Sequence, residues 1–292
     1  MKREMKSNLF KIVILCITVI FFTSCSFLQK KEENIATPEE VYTAIFLDDS
    51  YSLNKYLSEG FPIEYRDSSD KTLLMTVLEN NSLKSLDILL TRSVDTEARD
   101  SNGRTAIFYI RSLEALKSMV ENGANLDVVS SKNKTSLLTY FIKEKSVLHT
   151  QYLIESGADF NLKDSEGWDS VFWSAVVGEK EVIRKLKDAG ANFLEIDMKG
   201  NYPIYYAYDE SSILELLEVS GYNLKLKNLQ GENILGEVYL RAVANGYTEV
   251  ITKLLDLGVN PRYTSYGESA MSIAKKINNP DMIKFLNDNN IK

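Results

Sequence analysis

The chain has 292 residues, with 34 lysines and arginines against 41 aspartates and glutamates, for a formal net charge of −7. That acidic balance excludes an overall nucleic-acid binder, whose electrostatic footprint is basic. With one histidine and two cysteines, histidine–cysteine metal clusters are excluded as well, and a serine–histidine–acid triad could draw only on His149.

Residues 1–24 read as a leader rather than as part of the fold. Lys2, Arg3, Lys6 and Lys11 make a basic start, and Ile12 to Phe22 is an uncharged apolar run of 11 residues. A helix of that length does not span a hydrocarbon core of about 30 Å. A basic start, a short apolar core and the small residues Thr23 and Ser24 before Cys25 describe a secretory signal peptide. Phe22-Thr23-Ser24-Cys25 resembles a bacterial lipoprotein signal, which implies lipidation of the Cys25 sulfur and a new N-terminus at that residue. The departure is Phe22, where that family usually carries leucine. The alternatives are an ordinary signal peptide in which Cys25 is incidental, or a membrane-anchor helix. Cys16 would leave with the leader, so the mature chain would hold neither a free thiol nor a disulfide pair. Residues 25–37 are then an acylated N-terminus and tether, and residues 38–292 the folded array. The leader carries four basic side chains and one acidic one, which leaves 30 against 40 and a net charge of −10 after cleavage.

From Pro38 onward the chain repeats itself about every 33 residues. Glu121-Asn122-Gly123-Ala124-Asn125, Glu155-Ser156-Gly157-Ala158-Asp159, Asp188-Ala189-Gly190-Ala191-Asn192 and Asp256-Leu257-Gly258-Val259-Asn260 are the recurring fragments. That glycine or its substitute falls at positions 60, 93, 123, 157, 190, 221, 258 and 290. A second signal, Asp-x-x-Gly, follows about ten residues later at Asp100–Gly103, Asp164–Gly167 and Asp197–Gly200. Two coupled signals at one period identify a repeat architecture. Each unit holds two short apolar-periodic segments, such as Ser170 to Val177 and Glu179 to Lys187, with Val182, Ile183 and Leu186 on one helical face. Two such helices cannot bury their apolar faces alone, but stacked on neighbours they share a core. The pattern predicts eight helix pairs, the first (38–60) and last (268–290) serving as caps. In the seventh pair the first helix runs from Asn233 to Asn245, about one turn longer, which accounts for a 37-residue interval between positions 221 and 258.

These fragments resemble the ankyrin repeat, whose pattern is D-x-x-G-x-T-P-L-H-x-A-A-x-x-G followed by an apolar helix ending in L-L-x-x-G-A-[DN]. The best match runs from Asp164 to Asn192, and a second from Ala242 to Gly258. The T-P-L-H element is incomplete, reading Thr105-Ala106-Ile107-Phe108, Thr135-Ser136-Leu137-Leu138 and Tyr202-Pro203-Ile204-Tyr205, and its histidine is absent. The resemblance covers Pro38 to the C-terminus. It implies an all-α ankyrin-repeat solenoid of about eight stacked helix–turn–helix repeats with hairpin-like loop tips, monomeric by default. It further implies that tips and first helices line a concave face on which another protein docks.

By that resemblance, the positions flanking each tip glycine are the variable contact positions. Nine are basic (Arg66, Lys71, Arg99, Arg104, Lys132, Lys134, Lys163, Lys199 and Lys227) and three acidic (Glu166, Glu232 and Glu268). Such a basic stripe on an acidic body would receive an acidic partner surface, although ankyrin repeats often carry lysine or arginine before the tip aspartate. Trp168, Trp173, Tyr263 and Tyr266 lie at or near the tips and are of the residue types that dominate interface energy; the plainer reading packs them between repeats. His149 takes the place of Val182 and Val250 and reads as a packing residue. No nucleophile elbow, P-loop or H-E-x-x-H pattern occurs, so neither an enzyme nor a cofactor is expected. The expected function is a lipid-anchored, non-catalytic protein–protein interaction scaffold of the bacterial cell envelope, periplasmic or surface-exposed. The alternative is an immunity-type inhibitor or protective protein that blocks an exported toxin or enzyme. On this reading, Trp168→Ala or Arg104→Glu weakens partner binding and leaves thermal unfolding nearly unchanged.

Overall fold

A computed structural model of the protein describes residues 35–219 and 221–291. The leader, Cys25 and most of the tether lie outside the described residues. Among the described residues no helix is long and apolar enough to cross a membrane. The chain divides into two compact units, one of residues up to Ala98 with Tyr109–Arg111, the other of Arg99–Phe108 and Ser112 onward.

The first unit holds α1 (Pro38–Phe46), α2 (Ser50–Ser58), α3 (Leu73–Asn80) and α4 (Leu83–Leu90). The first helix starts where Thr37 and Glu40 close a capping box around Pro38. Val41, Ile45, Leu53, Leu74, Leu78, Leu86 and Leu89, spaced three and four apart on their helices, form a core that water does not reach.

The second unit continues with α5 (Leu113–Glu121), α6 (Leu137–Lys143), α7 (Val147–Glu155), α8 (Ser170–Val177) and α9 (Lys180–Asp188). Then come α10 (Glu210–Leu217), α11 (Ile234–Asn245), α12 (Thr248–Asp256), α13 (Ala270–Lys276) and α14 (Pro280–Asp288). Two first helices are replaced by single 3-10 turns, Ala106–Tyr109 and Pro203–Tyr206. Val182, Ile183 and Leu186 are buried together on α9, as their spacing predicts.

The tips are hairpin-like. Thr264–Ser265 (β1) pairs antiparallel with Glu268–Ser269 (β2), and isolated antiparallel bridges join Arg66 to Thr72, Val129 to Ser136 and Lys227 to Asn233. In each regular tip one side chain holds the turn: Asp100 Oδ1 accepts from the backbone N–H groups of Asn102 and Arg104, and Asp164 Oδ1 from those of Glu166 and Trp168. The tip residue three beyond that aspartate is left-handed, at φ 71° for Gly103 and 77° for Gly167. One tip differs. Ser130 N–H donates to the Thr135 carbonyl, five residues on, where Asp100 N–H reaches Arg104, four on. The extra residue makes Lys134 the left-handed one, at φ 50°, so it occupies the tip rather than flanking it.

The irregular intervals now have individual causes. From the left-handed tip residue to the cap of the second helix is twelve residues at Gly167 to Glu179, but nine at Gly103 to Ser112 and at Gly200 to Asp209. Those two repeats have lost nearly a helical turn, which is why only a 3-10 turn remains. The distance is sixteen at Gly231 to Tyr247, where α11 runs to twelve residues. The extra turn expected in the seventh pair is there.

Gly103 shows how closely successive tips pack. A Cβ built on it would stand 2.1 Å from Ser131 Oγ and 2.9 Å from the Ser131 backbone nitrogen, on a backbone already at φ 71°. Gly103→Ala should cost about 1–3 kcal/mol through overpacking and a strained left-handed residue, read as an earlier midpoint in urea unfolding. Asp169 supplies a second test. It caps α8 by accepting from Val171 and Phe172 N–H, yet is only 2% exposed. Burial raises its carboxyl pKa above the ordinary value, against the lowering by those two hydrogen bonds. A folded-state pKa above the unfolded one makes the group stabilising only while protonated, and that contribution is lost as pH rises through the folded pKa. Asp169→Asn keeps a good cap without the buried charge. It should therefore raise the melting temperature near neutral pH, with the gain shrinking toward acid; a gain unchanged with pH would refute this account.

Candidate partner-binding surface

The most aromatic part of the tip side lies between the fifth and sixth repeats. Trp168, the residue after the Gly167 tip, stacks on Phe172 at 5.7 Å and 20° and meets Trp173 at 5.3 Å and Tyr206 at 4.7 Å. Both tryptophans are half-buried. Trp173 is anchored twice: its Nε1–H donates to Asp164 Oδ2 at 2.8 Å, and Lys143 Nζ sits 3.7 Å above its ring. The Tyr206 hydroxyl donates to Asp197 Oδ2 and accepts from the Asn201 amide. Burial, together with the Asp197 carboxylate, pushes that phenol up to about 12. Glu166, Met198 and Lys199 complete a cleft of about 270 Å³ around these rings. Met198 is 75% exposed at its rim. Each ring of the cleft packs against a neighbouring ring, and the rim is an apolar side chain in water.

The basic tip residues are not equivalent. Arg66 belongs to the first unit, where it donates to the Asp70 carbonyl at 3.1 Å, and Lys71 of the same unit pairs with Glu79 at 2.6 Å. In the second unit Arg99 Nη1 donates to the carbonyls of Gly103 (2.6 Å) and Val129 (2.8 Å), strapping its own tip to the next. Arg104 forks onto the buried Asp100 carboxylate, and Lys163 pairs with Glu195 of the following repeat at 2.9 Å. Lys132, Lys134, Lys199 and Lys227 are exposed and make no side-chain hydrogen bond or ion pair among the described residues. The stripe expected from sequence is thus partly an intramolecular brace. Its open cations within the second unit are the four lysines.

Tyr263 and Tyr266 also separate. The Tyr263 ring lies against Gly236, whose absent Cβ would fall 2.6 Å from the ring, and its hydroxyl donates to Glu237 at 2.7 Å. That is a packing role, and burial together with the Glu237 carboxylate raises its phenol pKa. Tyr266 is 91% exposed at a left-handed tip position and donates to Glu232 at 2.6 Å. His149 packs as expected, stacked on Phe141 at 4.9 Å and bonded through Nδ1 to Ser146 Oγ.

Sequence reasoning missed Arg241. The truncated first helix of the sixth repeat ends with the Ile204 carbonyl accepting from Ala207 N–H at 3.3 Å, while the Tyr205 carbonyl, which a further turn would have satisfied, has no backbone donor among the described residues. Arg241, on the long helix α11 of the seventh repeat, fills that gap, donating to Tyr205 O at 2.6 Å and Ile204 O at 3.3 Å. Its guanidinium also faces the rings of Tyr205 (5.8 Å) and Tyr208 (5.3 Å). Burial lowers its pKa, with the neighbouring tyrosines opposing. A missing turn in one repeat is met by an extra turn in the next. The hint in the sequence was the 31-residue interval between positions 190 and 221, directly before the 37-residue one.

Among the described residues no group of three or more histidine, cysteine, aspartate or glutamate side chains is placed to hold a metal ion. No protein-family model matches the chain. An ankyrin repeat protein of Acanthamoeba polyphaga mimivirus is 26% identical over 194 residues, 63% of this chain and 25% of its own length. The mitochondrial disaggregase of Bos taurus is 26% identical over 164 residues, covering 52% of this chain and 23% of that one. The B-cell lymphoma 3 protein homolog of Mus musculus is 28% identical over 133 residues, 43% and 30% of the two chains. This chain therefore spans between 23% and 30% of the length of these curated relatives. Among solved structures, the human ASB11 ankyrin repeat domain superposes with a TM-score of 0.61 at 16% identity, covering 77% of this chain and all of that one. The ankyrin repeat domain of Bcl-3 does so with a TM-score of 0.57 at 22% identity, covering 60% and 80%. Likeness at such identities speaks to the fold. Paired helices, hairpin tips held by an aspartate and these superpositions together give the chain the ankyrin-repeat fold.

Proposed function

We propose that this protein is a non-catalytic binding module that holds a partner protein against the tip side of its repeats, lipid-anchored in a bacterial cell envelope through Cys25. The observation that carries the binding reading is the cleft of Trp168, Trp173 and Tyr206 with the exposed Met198 at its rim. A preformed aromatic cleft suits one apolar or aromatic side chain of a partner, which is the geometry of an interface anchor. The unpaired lysines 132 and 134 stand on the tip next to Trp168's own, the two tips joined by the Ser165 N–H to Asn133 carbonyl bond of 3.0 Å. They favour a partner that surrounds its anchor with carboxylates. The anchor reading is supported by the leader and by Cys25 standing immediately after Thr23-Ser24.

Two measurements test the two halves separately. Growth with an alkyne fatty acid should label the wild-type chain and leave Cys25→Ser unlabelled; an unlabelled wild type refutes the anchor. Detergent-extracted protein on resin should retain one dominant envelope protein, and Lys132→Glu with Lys134→Glu should release it at lower salt. Retention indifferent to salt and to both changes would refute the charged docking face.

A further inference from the structure

The helix–helix turn of the first repeat departs from those of the other repeats. Phe46 ends α1, Leu47 caps it and Tyr51 stands in the first turn of α2; they are 74%, 68% and 80% exposed. Counted from the cap of the second helix, the matching residues are Glu79, Asn80 and Lys84 in the second repeat and Lys143, Glu144 and Leu148 in the fourth. In the seventh they are Ala244, Asn245 and Glu249, and in the eighth Lys276, Ile277 and Asp281. All three positions are large and apolar in the first repeat alone.

The two acids of this turn are committed to the protein. Asp48 accepts from the backbone N–H groups of Ser85 (2.9 Å) and Lys84 (3.2 Å) at the start of α4. Asp49 accepts from Ser52 N–H (3.1 Å) and Ser52 Oγ (2.6 Å). Their carboxylates thus serve helix N-termini, and the side chains left facing solvent are Phe46, Leu47 and Tyr51. An apolar cluster of this kind on a water-facing turn marks a contact surface.

We propose that this turn inserts into the lipid surface that carries the protein, seating the first repeat on the membrane. The inference rests on Cys25 being lipidated. Only residues 26–37 separate Cys25 from Pro38, and twelve residues fully extended reach about 40 Å. The first repeat is therefore confined near the bilayer, where a weak apolar contact acts intramolecularly and adds to the anchor. An aromatic pair with a leucine matches the composition of an interfacial contact, rings at headgroup depth and an aliphatic side chain below them.

The test uses the full mature protein in vesicles of phosphatidylcholine and phosphatidylglycerol, with a polarity-sensitive fluorophore on a single introduced cysteine. With Cys16 removed and the Cys25 sulfur acylated, Phe46→Cys, Tyr51→Cys and Lys84→Cys would each carry the only thiol. The labels at 46 and 51 should emit to the blue and lose most of their intensity to lipids brominated on the acyl chain, while the label at 84 does neither. Three equally polar labels on protein that floats with the vesicles would overturn the inserted turn and leave the anchor standing. A blue shift without quenching by brominated lipid would overturn it in favour of a protein cover. Protein that fails to float would overturn the anchor and the insertion with it.

Discussion

Arg241→Ala should lower the unfolding free energy by about 2–4 kcal/mol, although no carboxylate bonds to Arg241. The loss comes mainly from the Tyr205 carbonyl left behind. Ile204 and Tyr205 lie in a single 3-10 turn; Arg241 supplies at 2.6 Å the donor that a longer helix would have given Tyr205 O, and adds a second, at 3.3 Å, to the Ala207 N–H that Ile204 O already accepts. An orphaned buried acceptor costs about 1–3 kcal/mol, and the contact with the Tyr205 and Tyr208 rings is lost as well. Arg241→Met separates these terms, since it refills the volume but donates nothing. Were Met as stable as wild type, the Tyr205 carbonyl would be finding water and the bracing account would fail. Arg241→Lys should recover part of the loss only, because one ammonium on a longer stem does not reproduce a planar fork. The readout is the urea midpoint with the slope checked for constancy.

That residue marks the boundary of what the sequence made legible. The period, six of the eight expected helix pairs, the aspartate-held tips and the long first helix of the seventh repeat follow from side-chain identity, because glycine, aspartate and apolar spacing act locally; the third and sixth pairs each keep only a 3-10 turn as their first member. The shortened sixth repeat did not stand out. Its lost turn is partly masked by one additional residue between Asp209 and Gly221, so the interval reads 31 instead of 30. The tip cations illustrate a second blindness. Arg99 bonds the Gly103 and Val129 carbonyls, and a backbone acceptor has no residue type by which a sequence could announce it. Arg104, by contrast, lies four residues from Asp100 and could have been read as its partner. The Trp168 cleft was half legible: tryptophans flanking a tip suggested a contact, while the ring of Tyr206 that closes it comes from the next repeat.

Trp168→Ala is therefore expected to do two things at once, where sequence alone suggested only lost binding. Trp168 touches Phe172, Trp173 and Tyr206 across two repeats. Removing a half-buried indole from such a cluster should cost about 2–4 kcal/mol of stability, below the range for a fully buried tryptophan. The same deletion erases a wall of the cleft, and an anchor contact is worth about 2–4 kcal/mol of affinity, a loss of 30-fold to nearly 1000-fold. Arg104→Glu is compromised similarly, since it sets two acids together at Asp100. Met198→Glu is the substitution that isolates binding. Met198 is 75% exposed at the rim, so its loss barely touches the fold, while a charge there obstructs an apolar anchor and repels carboxylates around it. Binding abolished by Met198→Glu with an unchanged melting temperature would assign the cleft to recognition. Binding kept by Met198→Glu but lost by Trp168→Ala would instead make the cluster a structural joint between the fifth and sixth repeats, and the docking site would have to be sought at the open lysines.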